Sequence, residues 1–202
     1  MRIVVTICFF LATIFSASKP DYIIEPGKRI GKISLSDTRT RVIKVLGRPK
    51  KQVLLGDKIR NDYWESVSRD TVDIYYRDDK VIQISISSPA YKINNTIGTN
   101  TSFLDIKEAF NKLERYRYFI DLSEERGNSN AQGQLFYTYY DDVERGLAFV
   151  FIYERDGKVP DEGVPSNIII HLPGEALFHE QYEHYIDEEN DDSTPKAASA
   201  YH

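Results

Sequence analysis

The run His179-Glu180-Gln181-Tyr182-Glu183-His184 gathers two imidazoles and two carboxylates within six residues. These are the residue types that hold zinc and activate the water bound to it. The helical zinc signature needs its histidines four residues apart, on one helix face. Here they are five apart and rotate off a common face. His171, upstream on a predicted strand, is the one residue that could complete a ligand set, so a metal-dependent enzyme using His171, His179 and His184 is an alternative reading. Asp141-Asp142 and Glu124-Glu125 are paired carboxylates, but acid–base partners must face each other across a substrate, which sequence neighbours do not do. Both pairs are expected in solvated turns. The sequence has no Gly-rich phosphate loop and no nucleophile elbow. The expectation is a non-enzyme with no catalytic residues, no metal and no cofactor.

Recognition is the chemistry that the residues favour instead. Phe149, Phe151 and Tyr153 alternate with Val150 and Ile152. Matching Val72 and Ile74 to Val150 and Ile152 as core-facing pairs predicts an opposite face carrying Thr71, Asp73 and Tyr75, then Phe149, Phe151 and Tyr153. Tyr137 and Tyr139 join this aromatic set, and Trp64 opens a strand beside Tyr63. Exposed rings supply large contact area at low entropy cost. Phe149, Phe151, Tyr153, Tyr137, Tyr139, Tyr75 and Trp64 are therefore the candidate partner-binding residues, with another protein as partner. The competing reading is that this face is buried, as large aromatics usually are.

The elements that would position these residues read as two copies of one design. Asp37 or Thr38 is a candidate helix N-cap. Val42, Val45 and Leu46 give an apolar stripe, Gly47 stops the helix, and Pro49 prevents its continuation. Strands are predicted at 63–68, 71–77 and 80–87, with Arg69-Asp70 and Asp78-Asp79 as tight links. In the last strand Ile82, Ile84 and Ile86 face the core, while Gln83, Ser85 and Ser87 face water. The second copy has Thr101 or Ser102 as cap, a stripe of Ile106, Ala109, Phe110 and Leu113, and strands at 134–140, 146–153 and 167–172. Similar segments recur in the same order, which favours duplication. The predicted fold class is α+β, a tandem duplication of a helix followed by an antiparallel β-meander.

The ends bound the organisation. Met1-Arg2, the apolar run Ile3–Phe15 and Ser16-Ala17-Ser18 predict a secretory signal at residues 1–18, cleaved after Ser18. The run is shorter than the roughly twenty residues of a membrane span, so no stable membrane insertion is expected after cleavage. Cys8, the sole cysteine, lies inside the signal and is preceded by Ile7 rather than a small residue, so neither lipidation nor disulfides are expected. Residues 19–93 form the first repeat, net +6, and residues 94–174 the second, net −5. Residues 175–202 form a disordered acidic tail of net −7, in which Leu177, Phe178, Tyr182 and Tyr185 could build a short docked helix. That charge balance excludes a nucleic-acid partner.

The stretch Ile33-Ser-Leu-Ser-Asp-Thr-Arg-Thr-Arg-Val-Ile-Lys-Val-Leu-Gly-Arg-Pro resembles the helix-opening signature of the SmpA/OmlA outer-membrane assembly lipoproteins. The tandem arrangement is similar to the β-lactamase inhibitory protein fold. The motif is confined to residues 33–49, and the lipobox, the inhibitors' disulfides and a second Leu-Gly-x-Pro are absent from the sequence. The resemblance implies an exported binding protein, periplasmic or secreted, with inhibition of a secreted hydrolase as the alternative binding role.

Overall fold

Among the described residues two short helices interrupt a chain built mainly of strands. The computed structural model describes residues 21–55, 58–121, 134–154, 159–178 and 185–186. Helix α1 (Arg39–Leu46) starts where the Thr38 side chain accepts from the Arg41 backbone N–H, one of the donors that a first turn leaves free. It stops at Gly47, whose φ of +81° favours glycine and whose N–H donates to the Ile43 carbonyl. Helix α2 (Phe103–Ala109) is capped by Ser102, which accepts from the Asp105 N–H and donates to its carboxylate at 2.7 Å.

A small sheet takes β1 (Ile23–Glu25), β2 (Arg29–Ile30), β3 (Ile33–Ser34) and β8 (Lys92–Ile93), in the order β3-β2-β1-β8. The large sheet takes β4 (Lys51–Leu55), β5 (Ile59–Glu65), β6 (Thr71–Arg77) and β7 (Lys80–Ile86) from the first part of the chain. From the second part it takes β9 (Glu114–Asp121), β10 (Gln134–Asp142), β11 (Leu147–Glu154), β12 (Asn167–His171) and β13 (Tyr185–Ile186). Its order is β13-β9-β10-β11-β12-β7-β6-β5-β4, antiparallel throughout.

This corrects the expected α+β class. The helices contribute eight and seven residues, against strands gathered into two sheets, so the protein is mainly β and not a helix-plus-meander tandem. Strand β9 is charge-rich, β4 groups its apolar residues Val53-Leu54-Leu55 without alternation, and β1–β3 and β8 are too short to show a period, which is why the pattern undercounted strands. The stretches 19–93 and 94–174 are continuous through one sheet. Ile84 and Ile86 of β7 sit opposite Ile170 and Ile168 of β12, and Val42 of α1 shares a core with Ile106 of α2.

Period-2 alternation gives the large sheet two chemically different faces. The helix-bearing face carries Ile74, Tyr76, Ile84, Ile86, Leu147, Phe149, Phe151, Ile168 and Ile170 beneath α1, α2 and the small sheet. The other face carries a smaller apolar cluster of Tyr139, Ala148, Val150, Ile169 and Leu177, with Tyr116 and Tyr137 against it. A half-buried ion pair ties α1 to the sheet: Arg39 Nε donates to the buried Asp62 Oδ2 at 2.6 Å.

Candidate partner-binding site

The expected aromatic surface does not exist as one surface. Phe149 and Phe151 are 0% exposed, and their rings lie 5.3 Å from Phe110 and 5.2 Å from Phe103. They face α2, whereas Val150 and Ile152 occupy the opposite face, the reverse of the predicted phase. The reason is specific to β11. It is apolar at both parities, so alternation alone could not choose its inner face, and the rings of α2 made the choice. Tyr153 is half-buried on the Phe151 side. Tyr139 is buried and Tyr137 half-buried on the other face, and the Tyr75 ring on that face packs against Phe178 at a tilt of 51°. Trp64 is half-buried, packs on the helix-side core, and donates from Nε1 to the Gly47 carbonyl at 3.2 Å.

Of the carboxylates expected in solvated turns, Asp141 and Asp142 are buried instead. His171 is 2% exposed and Asp141 1%; His171 Nε2 lies 2.9 Å from Asp141 Oδ1, and its Nδ1 lies 3.1 Å from the Leu172 carbonyl. A carbonyl only accepts, so Nδ1 carries a proton. The Nε2–Asp141 contact then shares a second proton, and the pair is neutral as a unit in either arrangement. Burial raises the Asp141 carboxyl above its ordinary value, and the hydrogen bond with His171 pulls the other way. The register explains how residues two strands apart can meet. Asp141 lies opposite Ala148 on β11, and the turn residue hydrogen-bonded beside His171 is Gly146, so small residues leave room for the ring. The dyad is enclosed on all sides, with neither side chain more than 2% exposed.

His171 ends a row of side chains on one face: Val53, Asn61, Tyr75, Gln83 and His171 are successive register partners across five strands. Gln83 and Ser85 were expected to face water, yet both are buried. Part of the cover is the chain that follows β12. Phe178 donates its backbone N–H to Gln83 Oε1 at 2.9 Å, and Gln83 Nε2 donates to the Phe178 carbonyl at 3.1 Å. Leu177 enters the Tyr139–Val150–Ile169 cluster, and Glu175 pairs with Arg77 at 3.3 Å. The start of the expected disordered tail, residues 175–178, is therefore an ordered strap, docked without helical structure. His179 and His184 lie outside the described residues, as do residues 1–18, Glu124 and Glu125. Among the described residues no three His, Cys, Asp or Glu side chains are grouped to hold a metal ion.

The helix-bearing face holds a cleft of about 200 Å³ between α1, the small sheet and the large sheet. Its floor is Val72, Ile84 and Ile86; Ile30, Ile33, Tyr22 and Tyr91 form one wall, Val45 and Leu46 the other, with Asp21 and Lys32 as its polar groups. Sequence patterning counted Val45 and Leu46 as core stripe, yet each is 36% exposed, and Tyr22 and Ile23 are also open to solvent. Only Val42 of that stripe is fully buried. Trp64 pairs in register with Val72 and bonds Gly47, so the sole tryptophan holds the helix wall of the cleft in place.

No family model matches this chain, and no curated protein matches it. Among solved structures it is similar to an extracellular protein containing a SCP domain from Bacillus anthracis str. Ames, at 11% identity and a TM-score of 0.41. That match covers 77% of this chain and 44% of the other, so the chain spans less than half of that protein. Among the described residues no helix is long and apolar enough to cross a membrane.

Proposed function

We propose that the protein is an exported, non-catalytic binding protein that captures an apolar side chain of a partner protein in the cleft beside α1. The observation that carries this reading is the open apolar cleft itself. Small-molecule sites usually run to about 300–1,000 Å³, and this cleft is smaller. A cavity of about 150 Å³ accepts a benzene ring, so its size suits one aliphatic or aromatic anchor. Such an anchor, set in a pocket and ringed by groups that exclude water, is the usual energetic centre of a protein interface. Export rests on the sequence of residues 1–18 and places the partner in the periplasm or outside the cell.

The test is site-specific photo-crosslinking in envelope and culture-fluid extracts of the source organism. A photoreactive residue at Leu46 should form an adduct with a defined partner, and Val45→Asp in the same chain should abolish it. The same probe at Val67, a fully exposed turn residue, should not form that adduct. Identical adducts from both positions, or an adduct indifferent to Val45→Asp, would sink the proposal.

A further inference from the structure

On the face of the large sheet away from the cleft, we propose a second docking site: a peptide groove that the chain's own residues Glu175–Phe178 fill in cis. Its occupant in trans is an extended segment of a partner protein in which an acidic residue is followed closely by Leu-Phe.

The groove has the parts of a recognition site. Gln83, buried in the middle of the sheet, offers one acceptor and one donor, and the Phe178 backbone satisfies both. A side-chain amide thereby recognises a peptide unit as an edge strand would. On one side of this clamp Tyr75 receives the Phe178 ring at 5.4 Å. The socket of Tyr139, Ala148, Val150 and Ile169 receives Leu177. Arg77 meets the acidic residue Glu175. The bond to the backbone reads no sequence; the ring and the socket do.

Two observations favour displacement by a partner over permanent closure. A donor beside the strap is unmet among the described residues: Asn61, 6% exposed and directly opposite Tyr75 on this face, has no hydrogen-bond partner there for Nδ2. A buried unmet donor is costly, and a segment that presents an oxygen there gains a bond that the strap does not make. The strap can also lift between two anchors, because it leaves β12 through Pro173 and Gly174, with φ +79° and open space around Gly174, and the chain rejoins the sheet only at β13. A second copy's strap would bring the same residues and the same unmet donor, so exchange between copies offers no gain over the contact already made in cis.

Two measurements on the full-length chain test this. The probe is a fluorescein-labelled peptide of residues 174–187, titrated by anisotropy. Leu177→Ala/Phe178→Ala frees the groove without touching it, and this variant should bind the peptide at least tenfold tighter than the unaltered chain. Adding Gln83→Ala should remove that gain. If the double variant fails to fold by Trp64 fluorescence, hydrogen exchange on the unaltered chain decides alone. The Phe178 amide should exchange at least a hundredfold faster than the Ile169 amide of β12, because the strap opens without global unfolding. Equal protection at the two amides, or no gain in peptide affinity in a folded double variant, would overturn the proposal. A concentration-dependent dimer with exchanged straps would overturn the choice of partner and assign the groove to a second copy.

Discussion

Removing His171 tests the buried pair most directly. Asp141 is 1% exposed, and its Oδ2 already lacks a hydrogen-bond partner among the described residues. The contact at Oδ1 is therefore its one strong compensation for burial. His171→Ala strands the carboxylate, and breaking a buried pair in this way costs about 3–5 kcal/mol. Asp141→Asn should cost less. Neutral His171 keeps Nδ1–H on the Leu172 carbonyl and accepts at Nε2 from the new amide, a loss of about 1–3 kcal/mol. The double variant Asp141→Asn/His171→Ala removes the charge altogether. Comparing His171→Ala with that double variant across pH isolates Asp141. Burial raises the folded carboxyl above its unfolded value, taken as about 3.9. The folded state then holds its proton more tightly, so stability is intact below the unfolded value and is lost as pH rises through the folded one. His171→Ala should fall behind the double variant by up to about 1.4 kcal/mol per pH unit in that window. Urea unfolding followed by Trp64, the only tryptophan, reads all of this. Parallel pH profiles for the two variants, or a His171→Ala cost below about 1 kcal/mol at pH 7, would refute the reasoning.

Three further predictions concern the framework. Phe151→Ala should cost about 3–5 kcal/mol in the same urea assay, because the ring is fully enclosed against Phe103 and Tyr140; a near-neutral result would mean that α2 does not pack on β11. Gly146→Ala should cost more than about 2 kcal/mol, because φ is +63° and a Cβ would stand 2.2 Å from the His171 carbonyl oxygen, measured as a lowered thermal midpoint. Asp78 and Asp79 sit at φ +52° and +62° in the β6–β7 turn. Asp78→Asn/Asp79→Gly should therefore stabilise by about 1 kcal/mol, seen as a higher urea midpoint with an unchanged slope.

Local chemistry was legible where one residue decides the geometry. Thr38 and Gly47 bound α1, Ser102 caps α2, and Asp78-Asp79 closes its hairpin, because each answers a backbone need that neighbours cannot supply. Legibility failed where the answer depended on what covers a strand. In β11 both parities are apolar, and the rings of Phe103 and Phe110 decide which one is inside. In β7 Gln83 and Ser85 looked like a wet face, since nothing local tells of a strap arriving from 95 residues away. Asp141-Asp142 read as a turn because the imidazole that shares a proton with Asp141 comes from a strand two places over. Of the candidate site, Val45 and Leu46 were seen but assigned to the core. A helical stripe says which residues are apolar, not whether another element closes over all of them.

Strand β7 shows why the two surfaces differ in occupancy. It presents Ile84 and Ile86 to the cleft and Gln83 and Ser85 to the groove, so one central strand serves both faces by alternation alone. Water tolerates an open apolar cleft of modest size, since exposed apolar area is common on folded proteins. It also hydrates exposed amides. A row of amides and hydroxyls walled in by Tyr139, Val150 and Ile169 is a different matter, because there each polar group needs a partner within reach. The strap meets that need at Gln83 and leaves it unmet at Asn61. An apolar cleft makes no such demand, whereas a polar row of this kind is stable only while something covers it. The chain fills it with its own residues and leaves Asn61 as the place where another segment can do better.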